Sequence, residues 1–435
     1  MPGATLAGTM NHSTHPRVDQ PLTPLEARLT ALRGGAAARS MDARALAALA
    51  ANPGCDRRAV LDAAGVDKAA LAARLGSPAA FGQSPFAITR GLVFERRLRA
   101  ERCTELAALL RRELLPEEAA QLPVAVPDLL AAEGPAVRAA RTRTALVEAV
   151  SDAAAGRAWT LLDRPLLRLE VAGSAVSLEP DAIVIGPDER WTVVEIKSFP
   201  ILDGGADPAK VGAAARQAAV YVLALRATAM ALDPAATTTA GNAAGAGATP
   251  HAATASSASG ADEAGRSEQG PSAPASDVVS ARPAGLPVSP YAEPAGLAAA
   301  VRTTGLLVCP RDFSNAAVAA PLDLRKQLAV TRRQLARMTR IETLLAVLPE
   351  GARLDEAPGA VDSLAHAYAP DCLAACELAF HCRSQARAAG AVEVLGRGVR
   401  GELGSLTTVE AALAATAAGG ALARAARLRE EALAR

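Results

Sequence analysis

The stretch LEPDAIVIGPDERWTVVEIKSF (Leu178–Phe199) carries two Pro-Asp pairs, two apolar β-prone runs and one Glu-x-Lys. Between the runs lies GPDER, whose Gly, Pro and Asp favour a turn, so the stretch predicts a β-hairpin. Residues i and i+2 of a strand share a face, which sets Glu195 beside Lys197, and the hairpin returns Asp181 to the same end. Two carboxylates and the intervening Ile196 carbonyl are hard oxygen ligands suited to Mg²⁺ or Mn²⁺. A lysine next to them can orient water or steady charge developing on a phosphate. A salt-bridged strand end is the commoner object with such residues, and Pro-Asp recurs at Asp128, Asp188 and Asp371. Asp188 falls in the turn, where aspartate serves local hydrogen bonding, whereas Asp181 leads directly into a strand.

Outward from the hairpin, the pattern is α/β. The segments PLLRLEV, SAVSL, DAIVIG and WTVVEIKSF predict strands, and DPAKVGAAARQAAVYVLALRAT predicts a helix with Asp207 as N-cap and Pro208 at N1. Residues 156–231 and 298–348 together form the expected core: one central sheet with strands TTGLLVCP and AAVAAPL, then a long helix from Asp323 to Leu348. Between them, residues 232–297 are Ala, Gly, Ser, Thr and Pro with scattered charge, a low-complexity insert expected to be disordered. Residues 1–38 are polar and Pro/Gly-punctuated, and are also expected to lack order. A helical section spans 39–155. Ser40 is the expected N-cap of its first helix, Asp56 caps RRAVLDAA, and Gly65 stops it. Leu92, Leu98, Leu106 and Leu109 are expected to build one face of a longer helix, and an Arg-rich helix follows at Ala136–Ala154. Residues 349–435 form a second helical section. No internal repeat is visible.

The chain has 435 residues with a net charge of +1, so any polyanion-binding surface must be a local patch. Lys68, Lys197, Lys210 and Lys326 are its only lysines, which makes a motif that needs lysine less apt to arise by accident. The first twenty residues lack the basic start and apolar run of a secretory signal, so a cytoplasmic location is expected. In that compartment the six cysteines read as metal ligands or buried thiols rather than disulfides.

On the helix after the hairpin, Gln217 and Tyr221 form an i, i+4 pair. Upstream, Glu95 in GLVFERRL is a candidate third carboxylate. Asp181, EIK at 195–197 and QAAVY at 217–221 resemble the PD-(D/E)XK nuclease superfamily, particularly its RecB-like branch. The resemblance covers about residues 81–230 and implies a restriction-endonuclease-like core, a central mixed sheet flanked by helices. It makes Asp181, Glu195 and the Ile196 carbonyl metal ligands and Lys197 the catalytic lysine. Gln217 and Tyr221 become the accessory motif, and Glu95 fills an early helix position that in many relatives is histidine.

DCLAACELAFHC places Cys372, Cys376 and Cys382 within eleven residues, a density that favours thiolate ligation of zinc or an iron–sulfur cluster. Cys55, in the polar break NPGCDRR, is the best candidate for the fourth ligand. Cys103 and Cys309 fall in a helix and a strand, where they read as small buried hydrophobes. One cysteine before the core and three after it resemble the iron–sulfur nucleases, the CRISPR-associated RecB-like exonucleases and AddB-type helicase-nucleases. There a 4Fe–4S cluster clasps the two ends of the chain. The C-terminal spacing here is three residues then five, against the usual two then five, which leaves zinc open. His381 is a possible substitute ligand, though an exposed histidine is the blander role. Arg333, Arg337 and Arg340 recur at i, i+4 and i+7, and suit either phosphate contacts or a solvated helix face.

These features together lead to the expectation of a Mg- or Mn-dependent DNA nuclease, exonucleolytic on single strands or duplex ends. No helicase motif is present, so unwinding would need a partner such as a helicase. Two alternatives stay open, a non-catalytic nucleic-acid-binding protein and a redox-sensing iron–sulfur protein on the same fold.

Overall fold

A computed structural model describes residues 22–52, 54–78, 85–119, 121–131, 134–172, 174–202, 205–233, 294–312, 315–417 and 420–434. In chain order the helices are α1 (Pro24–Leu32), α2 (Ala43–Ala51), α3 (Asp56–Ala64), α4 (Lys68–Arg74), α5 (Pro85–Leu114), α6 (Pro135–Ala154), α7 (Pro208–Leu232), α8 (Arg325–Arg337), α9 (Ile341–Leu345), α10 (Ala379–Ala388), α11 (Arg397–Glu402), α12 (Val409–Ala417) and α13 (Ala421–Leu433). The strands are β1 (Val124–Ala125), β2 (Trp159–Asp163), β3 (Leu167–Val171), β4 (Ser174–Leu178), β5 (Ala182–Ile185), β6 (Trp191–Ile196), β7 (Thr304–Pro310) and β8 (Ala317–Asp323). Two compact units result, one from Met1–Gln83, Val171–Ser174 and Arg333–Arg435, the other from Ser84–Glu170 and Ala175–Arg332.

The second unit is α/β. Six strands form one sheet in the order β1-β2-β5-β6-β7-β8, and β3 and β4 pair separately. The sheet is mixed: β1 with β2 and β6 with β7 run parallel, and the other neighbours are antiparallel. The predicted hairpin is β5–β6, with Ala182 opposite Val194 and Ile185 opposite Trp191. Both strands are buried along their whole length, so their apolar runs are continuous rather than alternating. Period-2 alternation still divides them between two faces. Ala182, Val184, Val194 and Ile196 join Trp159, Leu161, Leu306 and Val308 under Phe94, Leu98, Leu106 and Leu110 of α5. The alternate residues belong to the opposite face, where α6 lies against β2 and β5 and α7 against β6.

Helix α5 departs from expectation. Glu101, Arg102 and Cys103 have positive φ, so the element is two helical pieces joined at a kink. Leu98, Leu106 and Leu109 are buried on either side of the kink, whereas Leu92, six residues before Leu98 on the same helical piece, falls on another face and is 57% exposed. Strand β2, WTLLD, lies in a segment where no strand was expected.

The first unit is helical. Residues 1–38 are not uniformly without order, because α1 forms at Pro24. Thr23 and Glu26 make a reciprocal capping box, and Leu29 and Leu32 are buried. Asp42, not Ser40, caps α2, and Cys55, not Asp56, occupies the N-cap position of α3. Gly65 ends α3 in the left-handed conformation, as expected. Asp207 caps α7 with Pro208 at N1, also as expected. The single helix expected from Asp323 to Leu348 is instead α8, a 3₁₀ turn at Met338–Arg340, and α9. Sequence-distant segments share this unit's core, with Val60 and Leu61 of α3 beside Ile341, Leu345, Leu364 and Leu378. Arg57 N donates to Ala365 O at 2.9 Å and Leu354 N to Leu32 O at 3.0 Å, tying the two chain segments by backbone. Nearly all of the insert at 232–297 and the first twenty-one residues lie outside the described residues. No helix is long and apolar enough to cross a membrane among the described residues.

Candidate active site

The acidic end of the hairpin assembles as its register requires. Asp181 immediately precedes β5, and its Oδ2 accepts a hydrogen bond from Ile196 N at 2.8 Å. Glu195 and Lys197 share a face, and Lys197 Nζ contacts Glu195 Oε1 as an ion pair. Lys197 N donates to Val308 O of β7 at 2.9 Å, which holds the backbone beyond the last paired residue of β6 in place. From α7, Gln217 Oε1 accepts from Lys197 Nζ at 3.3 Å, and Gln217 Nε2 donates to Tyr221 Oη at 3.0 Å. Glu195, Lys197, Gln217 and Tyr221 thus form one connected polar chain from the sheet to α7, and Asp181 joins it through the backbone N–H of Ile196.

Glu195 is the most unusual member. Its side chain is 0% exposed; Oε1 contacts the Lys197 ammonium, and Oε2 has no hydrogen-bond partner among the described residues. Burial pushes its pKa up to about 8; Lys197 pulls it back, and the nearby carboxylates of Asp181 and Glu95 oppose ionisation. The Asp181 carboxyl is likewise raised, chiefly by burial, against the pull of Lys197, the Ile196 N–H and Arg99. Buried polar atoms left unsatisfied cost a few kcal/mol each. A hard cation between the two carboxylates would remove that cost, so these residues fit Mg²⁺ or Mn²⁺.

Glu95 is not brought into a common ligand set. Its Oε2 accepts from Arg99 Nη1 at 2.7 Å, one helical turn onward. Arg99 also binds Asp163, the last residue of β2. Neither Arg99 nor Asp163 was singled out from sequence. The i, i+4 spacing in FERRLR was the available signal for the first, and recognising WTLLD as a strand would have exposed the second. Asp188 sits in the turn, accepts from Arg190 N at 3.2 Å and pairs with Arg302, as its assignment to the turn requires.

The other unit gathers the cysteines. Cys55, Cys372, Cys376 and Cys382 line one cavity with Asn52, Arg58, His366 and Tyr368. Cys55 sits at the N-terminus of α3, Cys372 on a 3₁₀ turn at Pro370–Ala374 and Cys382 in the first turn of α10. Two donors point at sulfur: Asn52 Nδ2 lies 3.4 Å from Cys372 Sγ and Arg57 Nη1 lies 3.3 Å from Cys382 Sγ. Burial, opposed by Arg58, raises the Cys376 thiol to about 11, and burial, opposed by Arg57, raises that of Cys382 to about 12. The Arg57 and Arg58 side chains are only 2% and 6% exposed. Each already has a carboxylate partner, Asp362 for Arg57 at 3.4 Å and Asp62 for Arg58 at 3.0 Å, so the thiols stay protonated here unless a metal displaces their protons; four sulfurs on one cavity are the donor set that fits zinc or an iron–sulfur cluster. Among the described residues, however, no three His, Cys, Asp or Glu side chains converge on a single ion position in either unit. His381 is not exposed as expected; its Nε2 lies 2.8 Å from Asp362 Oδ1 and its side chain is largely covered. His366, unnoticed in the sequence, lines the cavity with a buried Nδ1 that makes no hydrogen bond. Cys103 and Cys309 are buried, as expected of small hydrophobes. Arg333, Arg337 and Arg340 are all exposed, and Arg337 pairs with Asp56 at 3.1 Å.

Comparison with protein-family models, with curated proteins and with solved structures gives no match for this chain.

Proposed function

We propose that this chain is a metal-dependent DNA nuclease with a restriction-endonuclease-like core, hydrolysing phosphodiesters on single strands or at duplex ends. The observation that carries this reading is Glu195, a fully buried carboxylate with one oxygen on Lys197 and the other without a hydrogen-bond partner among the described residues, set beside Asp181. In this reading Asp181, Glu195 and the Ile196 carbonyl hold a divalent cation. Such a cation polarises the phosphoryl oxygen and acidifies an attacking water. The chain's own groups do the rest. Lys197, its ammonium shared between Glu195 and Gln217, is placed to orient water and to meet negative charge on the phosphate. Gln217, fixed by Tyr221, limits the rotamers open to the lysine head. Glu95 adds negative charge near the centre, while Arg99 keeps it from turning inward as a ligand.

The cysteine cavity is assigned a 4Fe–4S cluster. Tetrahedral zinc needs its sulfurs within about 2.3 Å of one point. Four cysteines lining one cavity supply the thiolate set that either group takes, and the choice of the cluster rests on the donors aimed at the sulfurs. Hydrogen bonds to the sulfurs from Asn52 and Arg57 suit such a centre. Exposed Arg333 and Arg340 are assigned sequence-independent phosphate contacts.

End-labelled single- and double-stranded DNA incubated with Mg²⁺ or Mn²⁺ provides the test, with anaerobically purified wild type beside Lys197→Ala. Metal-dependent cleavage that falls by roughly 100-fold or more in the variant, with DNA binding retained, is the expected result. Cleavage at the same rate by both proteins would reject the catalytic assignment. Binding without cleavage by the wild type would point to the non-catalytic reading.

A further inference from the structure

Four carboxylates crowd the acidic end of the sheet: Asp181, Glu195, Glu95 and Asp163. One guanidinium serves three of them. Arg99 Nε donates to Asp163 Oδ1 at 2.9 Å, its Nη1 to Glu95 Oε2 at 2.7 Å, and its Nη2 lies 3.6 Å from Asp181 Oδ1. The Arg99 side chain is 10% exposed, so these contacts are far less screened than surface pairs. Its position is fixed from both sides. Asp163 is the last residue of β2 and pairs with Ala182, next to Asp181, while Arg99 ends the first helical piece of α5 just before the kink at Ala100.

With all four carboxylates ionised, as ligation of a cation would require, two of the four negative charges are offset inside the cluster, by Arg99 and by Lys197. Arg164 Nε lies 3.9 Å from Asp163 Oδ2, beyond hydrogen-bond distance, so its share is the weaker one. The residual charge is that of one divalent cation. The Asp181 oxygens are also apportioned, Oδ2 to the Ile196 N–H and Oδ1 to the side occupied by Arg99. A second divalent ion would have to approach Asp181 where a fixed guanidinium already stands.

We propose that Arg99, held by Asp163, is a positioning residue that aligns Asp181 and, as a built-in cation, limits the acidic centre to a single divalent ion. The proposal rests on the reading of this centre as a metal site. It assigns Asp163 a role through charge and through Arg99, without ligation.

Mn²⁺ binding by the full chain, without DNA, is followed by electron paramagnetic resonance of the free ion and by calorimetry. The wild type is expected to bind one Mn²⁺ per chain, Arg99→Gln two, and Arg99→Lys one. The double variant Arg99→Gln/Asp163→Asn removes one charge of each sign and is expected to return to one. Two ions in the wild type, or one ion at wild-type affinity in Arg99→Gln, overturn the proposal. Should Arg99→Gln fail to fold, Asp163→Asn decides: it is expected to bind its single ion at least tenfold more weakly, and unchanged affinity overturns the assignment. A folded wild type that binds no Mn²⁺ at all rejects the metal-site reading itself, a result distinct from binding two.

Discussion

Glu195 is held where a carboxylate is least comfortable, and that discomfort has a measurable sign. In the native state its pKa is pushed to about 8 from an ordinary 4.5, with burial the main cause. Between those values the native state keeps a proton that the unfolded chain has released. Stability without metal therefore falls as pH rises from about 4.5 to about 8 and levels off above, by about 1.4 kcal/mol per pH unit at the steepest. The raised Asp181 carboxyl acts in the same direction. Glu195→Gln should abolish cleavage yet raise the metal-free melting temperature at pH 8.5 by several degrees, at roughly 2–4 °C per kcal/mol for a unit of this size. A melting temperature at or below that of the wild type would show that the buried charge carries no cost. At this scale the sequence was most readable where a short-range rule applied. The i, i+2 geometry of a strand placed Glu195 with Lys197, and hairpin pairing placed Asp181. Arg99 and Asp163 were missed because their meeting depends on how α5 lies over β2, and no local spacing encodes that.

Elements show the same division between local chemistry and packing. Gly65 and Gly76 both end helical segments with φ near +70°, at +65° and +69°. A Cβ at Gly65 would lie 2.9 Å from Ala38 Cβ and 3.0 Å from the Arg39 backbone N and O, whereas at Gly76 it would meet nothing within 4 Å. Gly76→Ala should cost only the left-handed conformation, about 1–2 kcal/mol. Gly65→Ala should cost clearly more, since the 38–39 backbone must shift as well. Chemical denaturation of the two variants makes the comparison, and equal losses would mean that the 38–39 segment yields freely. Gly65 was readable as a helix stop because glycine alone accepts that backbone cheaply. The break in α5 was not, since RAERC contains neither glycine nor proline and three non-glycine residues take positive φ there. Strand β2 was passed over for a related reason: five residues beginning with a tryptophan and ending in aspartate show no alternation when both faces are covered.

At the scale of the molecule, the helical unit is assembled from chain segments that enclose the whole of the sheet unit in sequence. Its core joins α3 to α9 and α10, so folding must close loops of roughly 280 and 315 residues without reward from the intervening chain. Backbone bonds such as Arg57 N to Ala365 O help to hold that closure. A group ligated by Cys55 on one side and Cys372, Cys376 and Cys382 on the other would hold it covalently. By the chain-entropy relation, a cross-link over such a loop is worth about 6 kcal/mol. Cys376→Ser tests this at the place where the stabilisation acts. Anaerobically purified wild type is expected to contain iron and acid-labile sulfide and the variant to lose both, whereas zinc in the wild type would replace the cluster assignment. Hydrogen exchange should then rise by orders of magnitude in residues 56–64 of α3 and 379–388 of α10. Strands β5 and β6 belong to the other unit and have their own core, so their protection should change little. Unaltered exchange in α3 and α10 after loss of the metal would mean that the apolar contacts of Val60, Leu61, Leu364 and Leu378 close the loop unaided, and that the cysteines serve something other than the fold.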